Sequence, residues 1–78
     1  MKILIVEDEI GIANFLKQGL EEEGYDVLVA NDGETGNELA LSQKVNVILL
    51  DWILPKMTGI EVCKSIRKTD TKTPIMWM

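Results

Sequence analysis

An α/β fold built on a parallel sheet is predicted by two features of the chain. Short apolar runs rich in β-branched residues alternate with helical patterns, and the first and third of them end at acidic residues. The first run, Ile3-Leu4-Ile5-Val6, is apolar at every position rather than at every second one, as a strand buried on both faces requires. The order reads βαβαβαβ across 78 residues. Consecutive strands joined by helix-length connections predict right-handed parallel crossovers.

After the first strand comes Glu7-Asp8-Glu9, with Asp8 the expected N-cap of a helix in which Ile12, Leu16 and Leu20 recur at four-residue spacing. Gly24 suits the left-handed residue that ends a helix. Asp26 to Ala30 reads as the second strand. Asn31-Asp32-Gly33 marks a turn, and Leu39 and Ala40 give the second helix a narrow apolar face. Val45 to Leu50 is the third strand, ending at Asp51. Leu54 to Gly59 reads as loop, and the third helix carries Val62, Cys63 and Ile66 on one face. A polar connection from Arg67 to Thr73 leads to Pro74 and a fourth apolar run, Ile75-Met76-Trp77-Met78, which places Trp77 in the core. Cys63 is expected as a small buried hydrophobe, and Glu21-Glu22-Glu23 as a solvated end at the helix pole that prefers cations.

Composition narrows the functional classes. Hydrophobic content of 46% with 27% charged residues describes a folded domain, although a chain this short buries only about 60% of its unfolded surface. The net charge of -5 argues against direct nucleic-acid binding by this segment, because phosphate contacts need clustered Lys and Arg. One cysteine permits no internal disulfide, and the absence of histidine removes His-dependent catalysis and His-ligated metals. No apolar run is long enough for a membrane span or a signal-peptide core, so the chain reads as cytoplasmic. With no repeat or linker, residues 1–78 are taken as the N-terminal part of a single domain. The chain stops inside its fourth apolar run. It is therefore expected to be part of a longer chain, or else a minimal fragment that finds its missing surface in a partner.

Ligands of open parallel sheets bind beyond the carboxyl ends of the strands, where the strand order reverses. The first strand delivers Glu7 and Asp8 to that edge and the third delivers Asp51. In a sheet of order 2-1-3-4, these strands are neighbours about 5 Å apart. Carboxylates converging without His or Cys suit Mg²⁺, or Mn²⁺, over softer metals. Asp8 alone reads more readily as a helix cap than as a ligand. Asp51 is harder to dismiss, since Pro55 and Gly59 keep the following residues in loop. A carboxylate beside such an ion can be a passive ligand, or it can attack phosphorus and form an acyl phosphate; spacing alone leaves both open.

Two stretches carry a resemblance. Ile3-Leu4-Ile5-Val6-Glu7-Asp8-Glu9 and Val47-Ile48-Leu49-Leu50-Asp51-Trp52-Ile53-Leu54-Pro55-Lys56-Met57-Thr58-Gly59 together resemble the receiver domain of bacterial two-component response regulators. The second stretch is similar to that family's strand-Asp-x-x-hydrophobic-Pro-x-Met-x-Gly signature, and the segment up to Cys63 looks most like the subgroup with a winged-helix DNA-binding effector.

The resemblance implies a flavodoxin-like, three-layer sheet of order 2-1-3-4, here ending after the fourth strand. It implies that Asp51 accepts a phosphoryl group from a sensor histidine kinase, with Mg²⁺ held by the Asp8 and Asp51 carboxylates and the Ile53 backbone carbonyl. Glu7 matches the acid that reaches the ion through water. The output is expected to be transcriptional, through a DNA-binding domain elsewhere, and the chain itself is not an enzyme beyond assisting its own phosphorylation and dephosphorylation. Family members carry a Thr or Ser just past the fourth strand and a Lys at the end of a fifth, and Met78 precedes both. Without that Lys, mutual repulsion is expected to raise the pKa of at least one of the three acids when no metal is bound. The uncovered fourth strand is expected to invite a homodimer or strand-paired oligomer. Two other readings differ in class. One is a phosphate-independent interaction module, which the intact acids disfavour. The other is an aspartyl-phosphate phosphatase, disfavoured because Ile53 stands where such enzymes carry a second aspartate.

Overall fold

The computed structural model describes residues 1–78. Its elements are β1 (Lys2–Val6), α1 (Ile10–Glu22), β2 (Asp26–Ala30), α2 (Gly33–Ser42), β3 (Val47–Leu50), α3 (Gly59–Arg67) and β4 (Ile75–Trp77). The strands form one parallel sheet in the order β2-β1-β3-β4. The chain therefore runs outward from β1 to β2 and then crosses back to β3 on the other side of β1. The reversal in strand order falls between β1 and β3.

Side chains alternate across the sheet and so divide the apolar residues between two layers. Leu4 and Val6 of β1 join Ile48, Leu50, Val62 and Ile66 in one buried cluster. Removing each of these side chains from water stabilises the fold by roughly 1.5–3 kcal/mol. α2 lies on this face so closely that a Cβ on Gly36 would come 2.7 Å from a Val6 methyl carbon. Ile3 and Ile5, also buried, point to the opposite face, where α1 packs on β1 and β2 through Ala13. Three layers result: α2 and α3, the sheet, and α1.

The elements follow the sequence pattern closely, with instructive differences. The buried stripe of α1 centres on Ala13, while Leu16 and Leu20 are half-buried and Ile12 is 47% exposed. A small residue at the point of closest approach lets the helix sit down on the sheet and rotates the larger aliphatics towards its flank. β3 begins at Val47 rather than Val45. Asn46 is instead occupied with Lys2, donating its N–H to the Lys2 carbonyl and accepting the Lys2 N–H on its Oδ1, each at 2.8 Å. Trp77 is not a core residue; it is 39% exposed and stacks on Trp52. Cys63 is half-buried against the main cluster.

The helix ends also differ from expectation. Glu9, not Asp8, is the N-cap of α1, and it makes no side-chain cap bond. Asp32 caps α2 by accepting the Thr35 N–H at 2.7 Å. Thr58 and Glu61 form a reciprocal capping box at the start of α3. Gly24 takes the anticipated left-handed conformation, with φ 92°. No helix is long and apolar enough to cross a membrane.

Candidate functional site

The site begins with strand register. Val6 of β1 pairs with Ala30 of β2 and Leu50 of β3, so the three strands end level. Each ladder continues one residue further: the Glu7 N–H donates to the Ala30 carbonyl and the Asp51 N–H to the Val6 carbonyl, both at 3.0 Å. Glu7 and Asp51 are thereby fixed at adjacent strand ends, with Asp8 following immediately. Carboxylate oxygens of Glu7, Asp8 and Asp51 all lie within 4.8 Å of one another.

Burial within this trio is uneven. Glu7 is the buried charged residue of the chain, at 5% exposure, whereas Asp8 is exposed and Asp51 half-buried. The Glu7 carboxylate accepts the Glu9 N–H at 3.1 Å, and its backbone carbonyl accepts from the Asn31 side-chain amide at 3.0 Å. Burial pushes the Glu7 carboxyl above its usual range; the Glu9 N–H opposes this, and the neighbouring Asp51 and Asp8 add to it. A raised acid is what the sequence predicts, but its first cause is desolvation; hydrogen bonding with the Asp51 carboxyl and repulsion from its charge contribute less.

The acids have no compensating cation. The single ion pair of the chain joins Lys56 to Asp32 at 3.8 Å, at the loop after β3. Three oxygen donors without a basic partner suit a hard divalent ion. Oxygen ligands lie about 2.0–2.1 Å from Mg²⁺, so one ion with its bound water would bridge carboxylates gathered within 4.8 Å. The residues present therefore fit Mg²⁺. Asp8 belongs to this cluster rather than to a helix cap, which corrects its reading as the N-cap of α1.

The loop following Asp51 is held by its neighbours. Asp51 Oδ1 accepts the Trp52 N–H at 2.8 Å, and the Trp52 carbonyl accepts the Gly59 N–H at 3.1 Å. The Pro55 carbonyl accepts from both Gly33 at 3.1 Å and Met57 at 2.7 Å, around Lys56 with φ 70°. A Cβ on Gly33 would overlap the Met57 carbonyl, so only glycine permits this contact between α2 and the loop. The Ile53 side chain is 82% exposed, so core packing does not explain its place in the loop. The largest groove, about 500 Å³, lies elsewhere, between Leu41, Lys44, Val45, Asp70 and Thr73.

Sequence reasoning named all three acids, and Pro55 and Gly59 in the loop after Asp51, but missed the capping box and the contacts of Asn31 and Gly33. The Thr58-Gly59-Ile60-Glu61 spacing is a legible capping-box signal. The roles of Asn31 and Gly33 depend on contacts between segments distant in sequence, for which no local pattern exists.

The comparisons agree with this geometry. The family model for the response regulator receiver domain matches residues 3–78. The chain is 51% identical over 75 residues to the response regulator ArlR of Staphylococcus saprophyticus, covering 96% of this chain and 34% of that protein. It is 46% identical over 77 residues to the alkaline phosphatase synthesis transcriptional regulatory protein PhoP of Bacillus subtilis, covering 99% of this chain and 32% of that one. Among solved structures it resembles the receiver domain of the Pseudomonas aeruginosa sensor histidine kinase PA1611, which has a magnesium ion coordinated in its active-site cleft. That match has a TM-score of 0.92 and 29% identity, covering 97% of this chain and 64% of the other. It also resembles a chain in the complex of histidine kinase ThkA with the response regulator TrrA of Thermotoga maritima, with a TM-score of 0.89 and 36% identity, covering 97% and 66%.

A parallel sheet in the order β2-β1-β3-β4 carries three acids at its switch point. This chain belongs to the response regulator receiver domain family. It spans about a third of the curated relatives it matches.

Proposed function

We propose that this chain receives a phosphoryl group on Asp51 from the phosphohistidine of a sensor kinase and passes the signal to a transcriptional output domain. The observation that carries this reading is the convergence of Glu7, Asp8 and Asp51 at the reversal in strand order. On this reading the Asp8 and Asp51 carboxylates and the Ile53 carbonyl hold Mg²⁺, or Mn²⁺ in its place, and Glu7 approaches it through water. When bound, the ion supplies positive charge that offsets repulsion between the acids and the incoming phosphoryl oxygens.

Asp51 Oδ1 is engaged by the Trp52 N–H, which leaves Oδ2 to attack phosphorus. A P–O bond forms as the P–N bond breaks, and its electron pair returns to the imidazole. That ring leaves neutral when its other nitrogen carries a proton. The chain directs this transfer onto itself and is not a turnover enzyme. Ile12 and Phe15, 47% and 77% exposed and three residues apart on α1, share a helix face that offers the kinase an apolar surface. Regulation of transcription is supported by the name of the PhoP relative; with this segment acidic, contact with DNA belongs to an effector domain. The reading places the chain in the cytoplasm beside its kinase.

The test is intact mass after incubation with acetyl phosphate and Mg²⁺. A phosphoryl-sized gain that disappears in Asp51→Asn is the expected result. A gain that survives in Asp51→Asn would assign the acceptor elsewhere.

A further inference from the structure

We propose that Trp77 is a positioning residue for the acceptor: stacked on Trp52, it keeps the Trp52 N–H on one oxygen of Asp51 and so leaves the other turned outward. The inference rests on the reading of Asp51 as the acceptor and adds to it a residue from a different strand. The two indoles lie with ring centroids 4.4 Å apart and planes inclined by 24°. They are 50% and 39% exposed, so their contact is not enforced by a surrounding core.

One partner lies in a strand and the other in a loop. Trp77 pairs with Leu50 in the β3–β4 ladder, and the next residue continues it, with the Met78 N–H donating to the Leu50 carbonyl at 3.1 Å. Trp52 sits in loop, where its peptide has two tethers, the Asp51 carboxylate at 2.8 Å and the Gly59 N–H at 3.1 Å. An indole held on a strand-borne ring restricts the backbone torsions open to Trp52, because turning its peptide would carry the Cα–Cβ bond and break the stack. Offset aromatic pairs oppose such a turn by their geometry as well as by buried area. β4 thereby acts on the acceptor through an aromatic contact. A purely structural stack would contribute to folding without affecting which carboxylate oxygen is engaged.

The experiment compares Trp77→Leu, which keeps apolar bulk, with Trp77→Phe, which keeps an aromatic partner. Four quantities are read: the exciton couplet of the paired indoles in circular dichroism, hydrogen exchange at the Trp52 amide, the rate of adduct formation with acetyl phosphate and Mg²⁺, and the Mg²⁺ midpoint by calorimetry. In Trp77→Leu the couplet disappears, the Trp52 amide exchanges faster and the adduct forms more slowly. Both changes are expected at about 2- to 10-fold, the range corresponding to the energy of one aromatic pair. The Mg²⁺ midpoint stays within about twofold of the parent, which separates positioning from loss of the metal site. Trp77→Phe restores exchange and rate.

A folded Trp77→Leu chain with parental exchange and parental rate would overturn the proposal. Trp52→Leu removes the other half of the stack from a loop and decides the case if Trp77→Leu does not fold: slower adduct formation supports the proposal and a parental rate overturns it. If the parent takes no phosphoryl group, the acceptor reading fails separately. Amide exchange at Trp52 in the Trp77 variants then still decides the positioning, faster exchange supporting it and unchanged exchange overturning it.

Discussion

Gly33 and Met57 meet so closely that no side chain can be added at Gly33 without displacing the Met57 carbonyl. The Gly33 N–H also donates to the Pro55 carbonyl at 3.1 Å, so the start of α2 holds the loop that follows Asp51. Gly33→Ala is therefore expected to destabilise the chain by about 1–3 kcal/mol, the range of a steric overlap in a packed contact. It should also weaken Mg²⁺ binding by displacing that loop. Chemical denaturation and calorimetric titration of the variant check both effects together. Full stability with parental Mg²⁺ affinity would show that the loop is held from elsewhere.

The buried Glu7 gives the metal-free chain a specific pH dependence. Its carboxyl is raised, so the folded state binds more protons than the unfolded state at pH values above the ordinary 4.5. Stability from this group is complete below that value and declines as pH rises through the raised value. Mg²⁺ favours the ionised cluster and should reverse the trend, with its affinity increasing over the same window. Asp70 acts at the other end of the scale. Hydrogen bonds from the Thr73 side chain, the Thr73 N–H and the Lys72 N–H bring it down to about 2, so its contribution is lost as pH falls from about 4 towards 2. Denaturation midpoints across pH, with and without Mg²⁺, should show the two limbs. Glu7→Gln should flatten the upper limb and reduce Mg²⁺ affinity about 10- to 100-fold, as losses of outer ligands do.

The capping box at Thr58 and Glu61 fixes where the loop after Asp51 becomes helix. Thr58→Ala removes an acceptor for the Glu61 N–H and is expected to cost about 1 kcal/mol. Thr58→Ser keeps the oxygen and should retain most of that stability. Equal midpoints for the Ala and Ser variants in urea would show that α3 starts independently of its cap.

β4 forms one border of the sheet, with Met76 56% and Trp77 39% exposed. Apolar edge strands pair readily with a second copy. We expect the sedimentation coefficient to rise with concentration, and Met76→Lys to suppress the rise. A single species at all concentrations would count against edge pairing.

Much of this was legible before folding. β1 and β2 were readable because burial on both faces or a bounded apolar run leaves a strong local signal, as in Ile3 to Val6. The acids were readable because they terminate such runs. The start of β3 was not, since Val45 is buried without belonging to the strand and apolar character alone does not distinguish the two. Nor was the orientation of α1, which depends on Ala13 being the residue small enough to lie against the sheet. The exposure of Trp77 escaped for another reason: an indole in an apolar run looks like core, and only the tertiary arrangement shows it resting on Trp52.

The level ends of β1 and β3 also govern which changes in chain length the protein can tolerate. Successive strand residues face opposite ways, so deleting or inserting one residue between Val47 and Leu50 would either turn Asp51 to the wrong side or reverse every apolar side chain before it. The connection from Thr69 to Thr73, at the other end of the sheet from the acids, is under no such parity. Natural variation in length should therefore collect there, and β1 and β3 should keep their residue count even where their side chains drift.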